Sequence, residues 1–360
     1  MSNLKTKKSL WLGLLLVMVL VIISSMLLAC AGPAKPTEST ASPTTPAPKP
    51  VKAVYATYFG PEYPDFFKGL TEHAGWINEH GKGMFEIEMH HSSTLLDAKE
   101  LMPGLLNGTC DMIMLANGNF SSTFPALAID QLPFLWEDGF HLSRAAAYGA
   151  PMYDLINGEL AKKNLYIFTH AGSSPNYLWT KKPVNKLEDL KGMSIRGAGM
   201  LESRTLTSLG AGCVSMPSGE MYLAAQRGTI TGAICPILTA HARSLKEVMA
   251  YVIPAKLGDI GASLAVRRDW WDAQPQKIKD LLTQSGVQAW NPRITELVNK
   301  GEVPQWKELS ATLKVINISV EEEARWRTAC EPVYQYWKGL VGEDVYNKVM
   351  TYAEMSRKAK

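Results

Sequence analysis

From residue 51 onward the chain alternates short apolar or alternating runs with segments of helical spacing, and this pattern leaves few folds open. VKAVYAT (51–57) reads as a strand, and 63–80 as a helix with Phe66, Phe67, Leu70, Ala74 and Ile77 on one face. MFEIEMH (84–90) alternates apolar and polar residues, the signature of a half-buried strand. Asp97 heads a helical run that stops near Asn107-Gly108, and CDMIML (110–115) is a short apolar strand. Residues 138–162 read as helix, and 165–170, 177–180 and 193–196 as strands. A helix at 200–209, a strand at 213–216, a helix at 218–227 and a strand at 229–235 continue the series. Strand-like runs at 248–253 and 262–266 follow, then helices over 275–302 and 320–357 around the apolar run 313–318. Such alternation predicts α/β sheets covered by helices on both faces. A chain of 360 residues is long enough for about two such domains.

The N-terminus reads as an address. Residues 1–8 carry Lys5, Lys7 and Lys8, and Ser9 to Ala29 is uncharged and strongly apolar. A run this long can be a permanent membrane helix or a signal peptide. Leu27-Leu28-Ala29-Cys30 favours the second, because it resembles the lipobox of bacterial lipoproteins, in which the cysteine is lipidated and becomes the first mature residue. Residues 1–29 are then a lipoprotein signal peptide. Residues 30–50 are the lipidated Cys30 and a tether, six of whose residues over 31–50 are proline, with no apolar periodicity to bury. Both readings place the rest of the chain outside the cytoplasmic membrane.

Those three lysines account for the whole formal charge of +3, so the chain after them is neutral. It offers no electrostatic footprint for nucleic acid. Cys110, Cys213, Cys235 and Cys330 have no CxxC spacing, and Cys110 and Cys213 lie in strand-like runs that suit buried thiols. His90 and His91 are adjacent on a strand and point to opposite faces, so they do not form one metal site. There is no GxSxG, no HExxH, no EF-hand loop and no dinucleotide fingerprint. The expectation is a binding protein, not an enzyme, with no metal or cofactor.

Several ordered motifs carry a resemblance. Trp76 on the first helix is followed by FEIEMHHSSTL and by Leu101-x-x-x-Leu105-x-Asn107-Gly108-x-x-Asp111. Phe124-Pro125 and Leu132-Pro133-Phe134 come next, then Leu187-x-Asp189-Leu190-Lys191-Gly192-x-x-Ile195-Arg196. Leu209-Gly210-Ala211 and Met216-Pro217-x-x-Glu220-x-Tyr222-x-Ala224-x-Gln226-x-Gly228 complete the set. From about residue 53 to 350 the chain resembles the DctP-type solute-binding proteins of TRAP (tripartite ATP-independent periplasmic) transporters. The resemblance implies a two-lobed periplasmic-binding-protein-like fold, each lobe a mixed sheet flanked by helices, joined by crossing strands and a long helix. It places lobe I at 51–173 and 261–300 and lobe II at 174–260 and 301–360. It implies capture of a small organic acid and its delivery to an ion-gradient-driven membrane permease, with no catalysis. A sensory subunit that presents ligand to a membrane kinase is the alternative in the same fold, and an anchored hydrolase the alternative outside it.

The resemblance also names candidates. The arginine of its "KG..iR" motif falls on Arg196, whose planar fork suits a carboxylate. A second arginine found in many acid-binding members falls on Asn176, and an amide found shortly after their "DG" pair falls on Cys235. A cleft with one cation fewer suits a monocarboxylate with an aromatic or aliphatic body. Tyr58, Phe59, Trp136, Tyr177 and Trp179 are candidate aromatic contacts, and Asn117 and Asn119 candidate polar ones. Tyr222 and Glu220 head a helix beside the same region, as ligand contacts or hinge supports.

Overall fold

The structure of the protein, a computed structural model, describes residues 49–358. The signal-peptide, lipidation and tether expectations at 1–48 lie outside the described residues. Two sheets organise the rest. The strands are β1 (Val51–Ala56), β2 (Phe85–His90), β3 (Met112–Ala116), β4 (Leu165–Pro175), β5 (Tyr177–Thr180), β6 (Ser194–Gly197), β7 (Gly212–Ser215), β8 (Gly232–Cys235), β9 (Tyr251–Ile253), β10 (Asp259–Arg267) and β11 (Lys314–Val315). One sheet has the order β2-β1-β3-β10-β4 and the other β11-β9-β5-β8-β6-β7. In the first, β10 runs antiparallel to both of its neighbours; in the second, β5 does. The remaining pairs are parallel. Parallel strands need helical crossovers on their faces, which is why β3 reads as an unbroken apolar run and is buried throughout.

Three stretches of chain connect the sheets. β4 runs into β5 across Asn176, β9 returns to β10 through 254–258, and the helix Asn291–Thr312 ends where β11 begins. That helix packs on β4, on the helix Pro64–His80 and on the helix Ile237–Ala242, so it touches both lobes. It runs ten residues past the expected end at 302 and carries Pro304 inside it.

Other departures have local causes. The helix expected over 138–162 is two, Gly139–Ala145 and Pro151–Ala161. Gly149 between them takes φ +78°, and Ala150 before Pro151 is extended. The helix expected over 320–357 breaks at Gly342, φ +88°, into Val320–Val341 and Glu343–Lys358. The last helix packs on Gly139–Ala145, on Pro151–Ala161 and on the preceding helix Val320–Val341. The run 313–318 contributes only a two-residue strand. Asp138 caps the amide of His141 at 2.8 Å and Ser319 that of Glu322 at 3.2 Å, fixing two helix starts.

Candidate functional site

Arg196 lies near the C-terminal end of β6, registered between Val214 of β7 and Ala233 of β8. Strand ends of this kind open onto ligand crevices in α/β sheets. Its side chain is buried, at 4% exposure. Nε donates to the carbonyl of Met216 at 2.9 Å and Nη1 to that of Ile234 at 3.0 Å. The two bonds pin the guanidinium plane, and no described residue accepts from Nη2. The side chain so held lines the space between the lobes.

That space is walled from the first lobe by Tyr58, Phe59, Phe66, Met114 and Asn119, and from the second by Ala198, Ser218, Cys235, Leu238 and Thr239. Arg196 is the only cationic side chain among the described residues lining it. Burial raises the Tyr58 hydroxyl pKa well above the ordinary value, against the smaller opposing influences of Arg196 and Asn119. Burial pushes the Cys235 thiol up to about 12, so it faces the cleft as a neutral, weakly polar group. The cleft is drawn shut, with about 30 Å³ of space at its centre. That is roughly the share of one water molecule in the liquid, and far below the several hundred Å³ of a ligand pocket.

The lobes meet across the mouth. Tyr63 Oη and Ser218 Oγ lie 3.1 Å apart, Lys99 Nζ donates to Glu220 at 2.8 Å, and Met200 N donates to Ser121 Oγ at 3.0 Å. Arg243 reaches Glu62 at 3.6 Å and stacks over the Tyr63 ring at 5.0 Å. A chamber of about 480 Å³ lined by Glu62, Ser92, Asp97, Lys99, Glu220 and Arg243 lies at this mouth.

The structure brings together Arg196, Tyr58, Phe59, Asn119 and Cys235. It places the other candidates elsewhere. Asn176 is buried in the crossover, where its Nδ2 donates to Glu202 at 3.0 Å. Glu202 in turn accepts from the Ala198 amide, two residues beyond Arg196. Its carboxyl pKa is raised by burial, against the opposing pull of Arg196. Asn117 is turned away, with its Nδ2 2.7 Å from Asp130 Oδ2 and 3.3 Å from His170 Nδ1. Trp179 is core, its Nε1 donating to the Cys235 carbonyl at 2.8 Å. Tyr177 packs on Trp306, and Trp136 is sealed in the first lobe's core with Nε1 on the Ile129 carbonyl. Tyr222 is half-buried and donates to Glu247, and Glu220 is the mouth partner of Lys99.

Ser218, Thr239 and Arg243 were not read as site residues. Ser218 and Thr239 come within four residues of the ends of β7 and β8, where the strand-end rule points to them, whereas Arg243 lies past the helix Ile237–Ala242 and no such signal marks it. Among the described residues Cys110, Cys213, Cys235 and Cys330 are free thiols, no cluster of three or more potential metal ligands exists, and no helix is long and apolar enough to cross a membrane.

Two mixed sheets joined by crossing strands, with a pinned arginine in the closed cleft between them, define a two-lobed solute receptor. The chain belongs to bacterial extracellular solute-binding protein family 7, the DctP family, whose model matches residues 58–339. It is 21% identical to the C4-dicarboxylate-binding protein DctB of Bacillus subtilis, over 79% of this chain and 82% of that one. It is 25% identical to a monocarboxylate 2-oxoacid-binding periplasmic protein of Nostoc, over 76% and 80%. Its fold is similar to that of a TRAP periplasmic solute-binding protein of Ralstonia eutropha solved with bound (S)-2-acetolactate. The TM-score is 0.76 at 23% identity, covering 84% of this chain and 99% of that one.

Proposed function

We propose that the protein is an extracytoplasmic receptor, tethered to a membrane by a lipid on Cys30, that captures a small monocarboxylic acid and delivers it to an ion-gradient-driven TRAP permease. The observation that carries the reading is the Arg196 guanidinium, buried, held by two backbone carbonyls and lining the cleft. A carboxylate docked there forms a charge-assisted bond in a site shielded from water. Tyr58, Asn119, Ser218 and Thr239 supply neutral polar contacts, and Phe59, Phe66, Met114 and Leu238 apolar ones. A single cation in the lining supports one carboxylate. Arg243 lies nearby but already faces Glu62. The two crossing strands and the long helix give the lobes a hinge, so the cleft opens to admit the acid and closes over it.

The test is calorimetric titration of wild type, Arg196→Lys and Arg196→Ala with a panel of mono- and dicarboxylates. Truncating one member of a buried charged pair costs on the order of 2–5 kcal/mol, roughly 30- to 5000-fold in affinity. Arg196→Lys is expected to fall between the other two, keeping charge but losing the fork. Binding by Arg196→Ala within about threefold of wild type overturns the anchor, and a panel in which only dicarboxylates bind overturns the monocarboxylate assignment.

A further inference from the structure

We propose that the acid held at Arg196 carries an apolar tail, which leaves the cleft beside Asn119 and Ala198 and lies in a groove on the outer side of the lobe junction. The inference rests on the receptor reading above and names the class of acid. The centre of the closed cleft has about 30 Å³ of space, yet a groove of about 430 Å³ adjoins it. Asn119 and Ala198 line both, so the groove lies next to the cleft at these residues. The groove starts next to the anchor, since the carbonyl of Met216, one of its walls, is the acceptor of Arg196 Nε.

Its lining suits hydrocarbon. Met102, Pro103, Leu106 and Phe120 come from the first lobe, and Met216 and Pro217 from the second. Methionines adapt to irregular apolar ligands. Leu106 is 38% exposed, an apolar side chain with its face open to the groove. The mouth chamber on the other side of Lys99 and Pro217 does not suit a tail. Lys99 lines both spaces, but the mouth chamber adds Glu220, Glu62 and Arg243, and its two ion pairs would be stripped of water by hydrocarbon. The lining thus sorts the ligand: carboxylate inward at Arg196, methylenes or an aryl ring outward between the helix Leu101–Asn107 and the segment 215–217. The class it selects is an alkyl or arylalkyl monocarboxylate longer than the closed cleft itself holds.

The experiment is calorimetric titration of wild type and Leu106→Glu with propanoate and with octanoate. Each methylene transferred from water gains up to roughly fourfold in affinity. Three buried methylenes predict an octanoate-to-propanoate ratio of roughly 60 for wild type. In Leu106→Glu, a substitution at a partly exposed position, the ratio is expected to collapse toward one. A wild-type ratio within threefold, with propanoate still bound and its binding lost in Arg196→Ala, overturns the groove while the receptor reading stands. A ratio that stays the same in Leu106→Glu also overturns the groove. Failure of both acids to bind overturns the groove and the monocarboxylate reading together.

Discussion

Asp130 offers a perturbation whose size follows from the structure. It is fully buried where the first lobe meets the crossing strands. Its Oδ2 accepts from Asn117 Nδ2 at 2.7 Å, the Gly261 amide also donates to it, and Oδ1 has no hydrogen-bond partner. His170 Nε2 lies 3.9 Å from Oδ1, and Nδ1 of the same ring sits 2.8 Å from Ser263 Oγ. Asp259 is a second buried carboxyl whose pKa is raised, first by burial and then by the Asp130 charge. Burial pushes Asp130 up from 3.8 to about 7, against the two donors that favour its charged form, and holds His170 down from 6.5 to about 4.

The folded-state pKa of Asp130 lies above its unfolded value. Its protonated form therefore stabilises the fold fully below about pH 4, and that stabilisation is lost as pH rises through about 7. At 1.36 kcal/mol per unit the full span is about 4 kcal/mol. His170 acts in the opposite sense. Its folded pKa is depressed, so stability is lost as pH falls from 6.5 through about 4. In wild type the two slopes oppose each other between pH 4 and 6.5. Asp130→Asn keeps the size and an acceptor for Asn117 while removing one titration. Relative to wild type it is expected to gain about 3 kcal/mol between pH 5 and pH 8. Most of that gain accrues below pH 7. Urea unfolding of both proteins at intervals from pH 5 to 8 measures it. A difference in unfolding free energy that stays constant with pH would refute the assignment of a neutral, buried carboxyl.

The same region bears a packing test: a Cβ at Gly261 would lie 1.8 Å from Asp130 Oδ2 and 2.6 Å from His170 Cε1. Gly261→Ala is expected to cost about 1–3 kcal/mol by overpacking, and thermal unfolding within 0.5 kcal/mol of wild type would show that the pair can shift. Cys30→Ala is expected to leave the protein as unprocessed precursor or to release it from membranes. Normal processing and membrane retention of that variant, followed by fractionation and immunoblot, would contradict the lipid anchor.

How far the sequence could be read differs by residue, and the reasons are physical. The strand series was legible because apolar runs bounded by glycine and polar residues have few alternatives, and Arg196 because it ends such a run just before Gly197. Trp179 was read as a cleft aromatic, yet it sits on β5, which is paired on both sides and covered on both faces. Leu178 enters one core and Trp179 another. The two-residue period shows that they oppose each other but not which face meets the other lobe. Asn117 follows the end of β3, where cleft residues collect, but its partners lie 13 and 53 residues away in sequence. No local pattern carries that information. The helix Asn291–Thr312 shows tertiary contact overriding propensity. Pro304 argues for a stop near 302, and packing against elements of both lobes carries the helix ten residues further.

The polar contacts across the mouth of the cleft are individually weak. Lys99 and Glu220 are both more than half exposed, and such pairs contribute little. Tyr63 to Ser218 is one neutral hydroxyl pair, and Met200 to Ser121 one bond from backbone to side chain. The largest apolar cluster runs through both sheets, from Ile113 and Leu115 on β3 to Leu178, Ile195 and Ile234 on β5, β6 and β8, and the crossing strands β4 and β10 are paired along most of their length. On the proposed reading, opening of the cleft breaks these mouth contacts. It also separates Arg196 from Tyr58 and Asn119 without removing the Met216 and Ile234 carbonyls that orient the guanidinium, because those belong to its own lobe. If Arg196 is the carboxylate anchor proposed above, it is oriented by its own lobe before closure, and the second lobe would take the carboxylate first. Closure then adds the first lobe's contacts, and the measured affinity is the intrinsic affinity scaled by how readily this weak mouth closes.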